Sequence, residues 1–169
     1  MISSDLLGDA FGRIRGIIHR AVDGLAPEQL TIRVDDQANS ISWLVWHLTR
    51  IQDDHIADAA GTEQVYTSGG WVDRFALPFE PSATGYGHSS DEVASVQAVS
   101  GELLTDYHEA VFQQTIRFVE SLTDNDLSRI VDESWNPPVT LGVRLVSVLS
   151  DNLQHAGQAA FVRGIIDRR

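Results

Sequence analysis

Asp151 and His155 stand four residues apart in a stretch of helical periodicity, so one turn separates a carboxylate from an imidazole on a shared face. Such a pair can bind one divalent ion, as helical metal motifs of this spacing do. Two donors hold an ion weakly, and a third has to come from another helix. His47 is the candidate, mid-way along a second helical stretch and flanked by Leu44, Leu48 and Ile51. One Asp and two His make a nitrogen and oxygen donor set with an open position. That is the pattern of catalytic rather than structural zinc, although iron, nickel or manganese accept the same donors. The bland reading of an Asp-x3-His spacing is a surface ion pair, and a lone core histidine is usually just hydrogen-bonded. His19 and Asp23, at the end of the first helical stretch, are read as such a pair, with the His favoured by the helix dipole.

His55 is the rival third ligand. A helical projection puts it nearer the centre of its apolar stripe than His47, and it is read as a satisfied buried imidazole. His88 and His108 have no partner at ligand spacing, and Trp43, Trp46, Trp71 and Trp135 are read as core or rim anchors. Cysteine is absent, which rules out disulfides, thiolate zinc sites and a cysteine nucleophile. Any sulfur chemistry must use a thiol brought in from outside.

Four helical stretches would position these residues. The first runs from about 4 to 22, with Leu6, Leu7, Ala10, Ile14, Ile17, Ile18 and Ala21 at helical spacing and Gly24 and Pro27 as stops. The second starts at a Ser40 cap and ends at Gly61, with Ile41, Leu44, Val45, Leu48, Ile51 and Ala59 as its stripe. Residues 62–89 are rich in Gly, Ser, Pro and aromatics, and are read as a flap over one end of the bundle. A short helix near 91–96 precedes a long one capped by Ser100. Thr140, just after Pro137 and Pro138, caps the last, which runs to about Ile166. On that last helix Asp151 and His155 project beside Val148 and Val162, at the edge of a face made by Leu145, Leu149, Leu153 and Ala156. The expected fold is all-α, a single four-helix-bundle domain over residues 1–169 with a long crossover between the second and third helices.

Composition removes several function classes. The 169 residues carry 24 acidic against 12 basic side chains, a formal net charge of −12. Such a surface repels phosphates and anionic lipid, so nucleic acid and membrane are not expected partners. No apolar run approaches the ~20 residues of a membrane span, and no signal pattern opens the chain, so a cytoplasmic protein is expected.

Three segments carry a family resemblance. Ser42-Trp-Leu-Val-Trp-His47-Leu-Thr-Arg resembles the second helix of the DinB-like superfamily, and Leu149-Ser-Asp151-Asn-Leu-Gln-His155-Ala-Gly-Gln158 its final metal-binding helix. Leu104-Thr-Asp-Tyr107-His-Glu-Ala-Val111 is similar to the third helix of its thiol-transferase members. Many members carry three histidines at the metal. The mycothiol-dependent branch, similar to the N-terminal domain of maleylpyruvate isomerase, has a Glu where this chain has Asp151. The resemblance implies a metal-dependent S-transferase with zinc held by His47, Asp151 and His155 and mycothiol as thiol co-substrate. A metal-bound thiolate, rather than a protein nucleophile, would attack an electrophile under the flap. Asp54 and Gln158 are placed to contact the sugar portions of the thiol. The alternatives are a small metallohydrolase and a non-catalytic metal- or ligand-binding stress protein. Homodimers are common among look-alikes, but no interface is legible in the pattern.

Overall fold

The computed structural model describes residues 2–97 and 99–168. Helices α1 (Ser3–Val22) and α2 (Pro27–Leu30) lead to α3 (Ile41–Ala60), and the short α4 (Val65–Ser68), α5 (Trp71–Phe75) and α6 (Ser90–Ala94) follow. Helix α7 (Gly101–Glu120) leads through a 3-10 turn to an antiparallel pair, β1 (Ile130–Asp132) and β2 (Val139–Thr140), and then to α8 (Leu141–Ile166). The caps read from sequence are formed. Ser40, Ser100 and Thr140 hydroxyls accept from the amides of Trp43, Leu103 and Val143, at 3.2, 3.0 and 3.4 Å. Gly61 closes α3 in the left-handed conformation, φ 66°.

Helices α1 and α3 each pack against both α7 and α8, which closes a ring of four around one core. Phe11, Ile14, Ile18, Leu48, Val111 and Val148 are sealed inside it. A buried polar bridge also crosses this core. Asn152 donates to Gln52 Oε1 at 2.6 Å, and Gln52 donates to the Thr115 hydroxyl at 2.8 Å, tying α8 to α3 and α7 beside Asp151. None of the described helices is long and apolar enough to cross a membrane.

Several expectations need correction. Leu153 is 47% exposed, and the buried row of α8 is Leu141, Leu145, Val148, Asn152, Ala156, Ala159 and Val162. Because α8 is apolar on nearly every side, periodicity alone does not say which stripe faces inward. Leu6 is exposed, while Phe11, outside the expected stripe, is buried. Trp135 stands out in solvent rather than anchoring the rim. His19 lies beside Glu109, at 4.0 Å, with no ion pair to Asp23 among the described residues.

The segment 62–89 runs along the α3–α7 flank rather than capping an end, and it contains α4 and α5. Its anchor is the fully buried Arg50, whose Nε and Nη2 donate to the carbonyls of Ala83 and Pro81 at 3.0 and 3.3 Å. Asp53, also buried, accepts from the amides of Val65 and Tyr66, both at 2.8 Å, and from the Tyr107 hydroxyl at 2.9 Å. Burial pushes the Asp53 carboxyl up, with the amides, Tyr107 and Arg50 pulling the other way. Tyr66, Trp71 and Phe75 close over the Tyr107 ring.

His108 is a cost within this core. It is buried, and neither ring nitrogen has a hydrogen-bond partner. Burial, with His19 nearby, lowers its pKa from the ordinary 6.5 to about 3. Between those values the unfolded chain takes up a proton that the folded chain refuses, so stability falls as pH drops from about 6.5 toward 3. His108→Leu is therefore expected to raise stability by roughly 1–3 kcal/mol, the cost of unpaired buried polar atoms. It should also flatten this acid limb. Thermal melts of both proteins in chelator between pH 7 and 4 check it: Tm of the wild type should drop more steeply.

Candidate metal centre

Helix α3 brings His47, and α8 brings Asp151 and His155, to one point on the α3–α8 seam. One ligand atom from each of the three lies within 4.8 Å of the others, with His47 buried and its two partners half-buried. His155 Nε2 faces Asp151 Oδ1 at 3.5 Å, the one-turn pairing that their spacing predicts. The rings of His47 and His155 meet edge to face with centroids 4.8 Å apart. Trp43 stacks on the outer face of His47, 4.5 Å between centroids and 15° between planes, which fixes that ring's tilt.

Each imidazole is oriented from behind. His47 Nδ1 lies 2.6 Å from the carbonyl of Thr84. A carbonyl only accepts, so Nδ1 carries the proton and the lone pair sits on Nε2. The carbonyl can reach this far in because the next residue is glycine. Gly85 has φ +90°, and an added Cβ would meet His47 Nδ1 at 2.8 Å. His155 Nδ1 donates to Gln158 Oε1 at 2.9 Å, which frees Nε2 on the Asp151 side. Metal-bound histidines are held in this way, the outer N–H on an oxygen and the inner nitrogen free.

The electrostatics of the three side chains differ. Asp151 Oδ2 is shielded from solvent and has no partner. A carboxylate with one oxygen shielded and unpaired and the other facing His155 Nε2 belongs to a donor set that a divalent cation would satisfy. Burial lowers the His47 pKa and keeps the ring neutral, the ligating form. For His155 burial also acts downward, but hydrogen bonds to Asp151 and Gln158, with the Asp151 charge, raise it overall. Gln158→Ala should leave the fold unchanged, since the side chain is exposed, and weaken metal binding by about tenfold, as loss of an orienting partner does. Competition against a zinc-sensitive chelator would measure it.

The remaining candidates fall outside this point. His55 is the more exposed of the two α3 imidazoles, not the more central. Its Nδ1 accepts from Arg144 Nη1 at 3.1 Å, and Arg144 is fixed in turn to Asp132 at 2.8 Å. With that lone pair engaged, His55 acts as a partner for Arg144. Asp54 accepts from Gln64 at 2.7 Å and lines a depression of about 450 Å³ with His55, Asp58 and Arg144. Gln158 borders a separate depression of about 280 Å³ with Leu44 and Phe161. His88 accepts from Trp43 Nε1 at 3.2 Å and packs on Trp46 and Phe79, bracing the flap around the centre. Sequence reasoning missed Thr84 and Gly85, whose role depends on a flap path that no periodicity encodes.

The crystal structure of a conserved protein from Enterococcus faecalis is similar with a TM-score of 0.92, at 27% identity, over 100% of this chain and 99% of that one. No curated protein matches. Residues 6–168 match the family Mycothiol-S-transferase, so the chain belongs to this DinB-like family.

Proposed function

We propose that the chain is a metal-dependent S-transferase that joins a low-molecular-weight thiol, mycothiol in the first instance, to an electrophilic substrate. The observation that carries the reading is the convergence of His47, Asp151 and His155 with their outer nitrogens held and Asp151 Oδ2 left without a partner. The family match supplies the thiol. In this reading the whole chain is one DinB-like four-helix-bundle domain, working in the cytoplasm, and the ion is zinc.

When bound, a divalent ion supplies the acidification of an incoming thiol at an open coordination position. The chain's own part is to hold and orient. His47 presents Nε2 because Thr84 takes its Nδ1 proton, and His155 presents Nε2 because Gln158 does the same. No cysteine competes as nucleophile, so the attacking sulfur belongs to the co-substrate. A new carbon–sulfur bond forms, the electrophile's leaving group departs with its bonding pair, and the thiol proton passes to solvent. Asp54 and Gln158, in depressions on separate flanks, are the contacts for the hydroxyl-rich part of the thiol and for its approach.

The test is turnover by the zinc-loaded protein with mycothiol and a model electrophile, following the conjugate by mass. Conjugate formation that requires both protein and mycothiol is expected. Consumption of the electrophile at the same rate with no thiol present would instead identify a hydrolase using activated water.

A further inference from the structure

The depression bordered by Val34, Leu44, Phe161 and Val162 is set apart by charge. Four other depressions on the described surface each include Asp, Glu or Arg, whereas every polar member here is neutral, Gln158 among them. In a chain with 21% charged residues and a net charge of −12, an uncharged hollow is selective. One wall is the loop 34–39, and the arginine at its base adds no free charge, because Arg33 donates to the carbonyls of Asp36, Ala38 and Ser90. Phe161 stays 66% exposed on the opposite wall. The volume, about 280 Å³, is at the small end of ligand pockets and suits a group of one or two rings. Both long helices tie the hollow to the metal centre. Leu44 stands one turn before His47 on α3, and Gln158, which takes the His155 proton, forms part of the wall from α8. The Asp54 depression lies beyond the centre in the other direction, after His47 on α3 and before Asp151 on α8.

We propose that this hollow is the electrophile subsite, and that it takes an uncharged, apolar alkylating agent, with Phe161 as a specificity-determining residue. The inference rests on the S-transferase reading and adds which flank each substrate occupies. The charged Asp54 flank, with Thr62 and Gln64, offers partners to a hydroxyl-rich thiol, and the uncharged flank falls to the second substrate. The electrophile then lies beside the loop 34–39 and not under the 62–89 flap. An anionic electrophile is disfavoured twice, by the net charge and by a wall with no cation to pair it. For an alkyl halide the carbon–sulfur bond forms as the carbon–halogen bond breaks, halide leaves with the bonding pair, and the thiol proton passes to solvent. An independent sign that the occupant is reactive is how few nucleophiles the chain exposes to it. Cysteine and lysine are both absent, and all 12 basic residues are Arg, which stays protonated and unreactive. The Nδ1 lone pairs of His55 and His88 are engaged by Arg144 and Trp43, and His108 is buried. Such a surface survives repeated contact with an agent that alkylates amines and thiols.

The cysteine-free background gives a test that needs neither metal nor turnover. Ala38→Cys puts a thiol in the wall of the hollow, and Gln113→Cys, exposed on α7, is the control. Each is labelled in chelator with benzyl bromide and with 4-(bromomethyl)benzoate, which has the same reactive carbon and one carboxylate. The preference for benzyl bromide should be at least ~10-fold larger in Ala38→Cys than in Gln113→Cys, since the hollow cannot pair the carboxylate. Adding Phe161→Ser to Ala38→Cys should slow benzyl bromide labelling by about tenfold, through loss of the aromatic wall. In the zinc-loaded protein with mycothiol, Phe161→Ser alone should raise KM for benzyl bromide by about the same ~10-fold factor and leave KM for mycothiol unchanged. Equal reagent preferences at the two positions, or labelling and KM unmoved by Phe161→Ser, would overturn the subsite. Absence of conjugate from the unsubstituted chain is a separate result and counts against the S-transferase reading itself.

Discussion

His47→Ala and His155→Ala should each lose stoichiometric zinc, with affinity falling by well over ~100-fold while helix content is retained. The magnitude follows from the order of shells. Losing a residue that merely orients a ligand costs roughly 10- to 100-fold, so losing the ligand itself must cost more. The fold survives because both side chains sit at the seam between α3 and α8 rather than in the sealed core, and truncating them opens toward the site. Asp151→Ala should cost less than either histidine change, since its carboxylate is the more exposed donor and water can take its place. Elemental analysis of the three purified variants checks the order. Full zinc in both histidine variants, or a larger loss in Asp151→Ala, would show that the roles are assigned wrongly.

The second large effect is expected far from any ligand. Arg50→Ala should lower stability by roughly 3–5 kcal/mol, the cost of removing one partner of a buried charge pair. For a chain of this length that is a fall in Tm on the order of 10 °C. The loss is not confined to Asp53. The carbonyls of Pro81 and Ala83 lose their donors together, and Tyr66 loses the guanidinium that sits 4.3 Å from its ring centre. Thr84 follows Ala83 directly, so the flap should no longer hold His47 Nδ1, and zinc affinity should fall by ~10- to 100-fold as well. Limited proteolysis should then cut between 76 and 88, where the wild type is expected to resist. Arg50→Lys should rescue little, because an ammonium cannot reproduce the fork that serves two carbonyls at once. An unchanged melting temperature and cleavage pattern for Arg50→Ala would mean that the flap is held by its aromatics alone.

What sequence could and could not say follows from how local each signal is. The helix starts at Ser40, Ser100 and Thr140 were legible because a cap is decided by four neighbouring residues. The Asp151–His155 pairing was legible because one turn of helix fixes it. His47 was named from its place beside the apolar stripe of α3, but its meeting with α8 is not encoded by spacing, and the family resemblance strengthened that choice over His55. The relative burial of His47 and His55 was misread for a related reason. The side of α3 that looks most apolar in projection is not the side covered most, because the flap seals the flank carrying Trp43, Trp46, His47 and Arg50. The inward face of α8 was misassigned because its outward face is apolar too. No pattern along the chain announces that a backbone carbonyl from residue 84 orients a side chain at 47. That contact rests on the left-handed turn at Gly85 and on an arginine three residues beyond the histidine.

The claim on which all of this depends is that two imidazoles and one carboxylate, drawn from two helices, hold a single divalent ion. Zinc K-edge absorption of the metal-loaded protein tests it most directly. One zinc per chain is expected, in an oxygen and nitrogen shell near 2.0–2.1 Å, with the outer-shell scattering of two imidazole rings. A shell without imidazole scattering, or a spectrum unchanged when His47 and His155 are both replaced by alanine, would contradict the account.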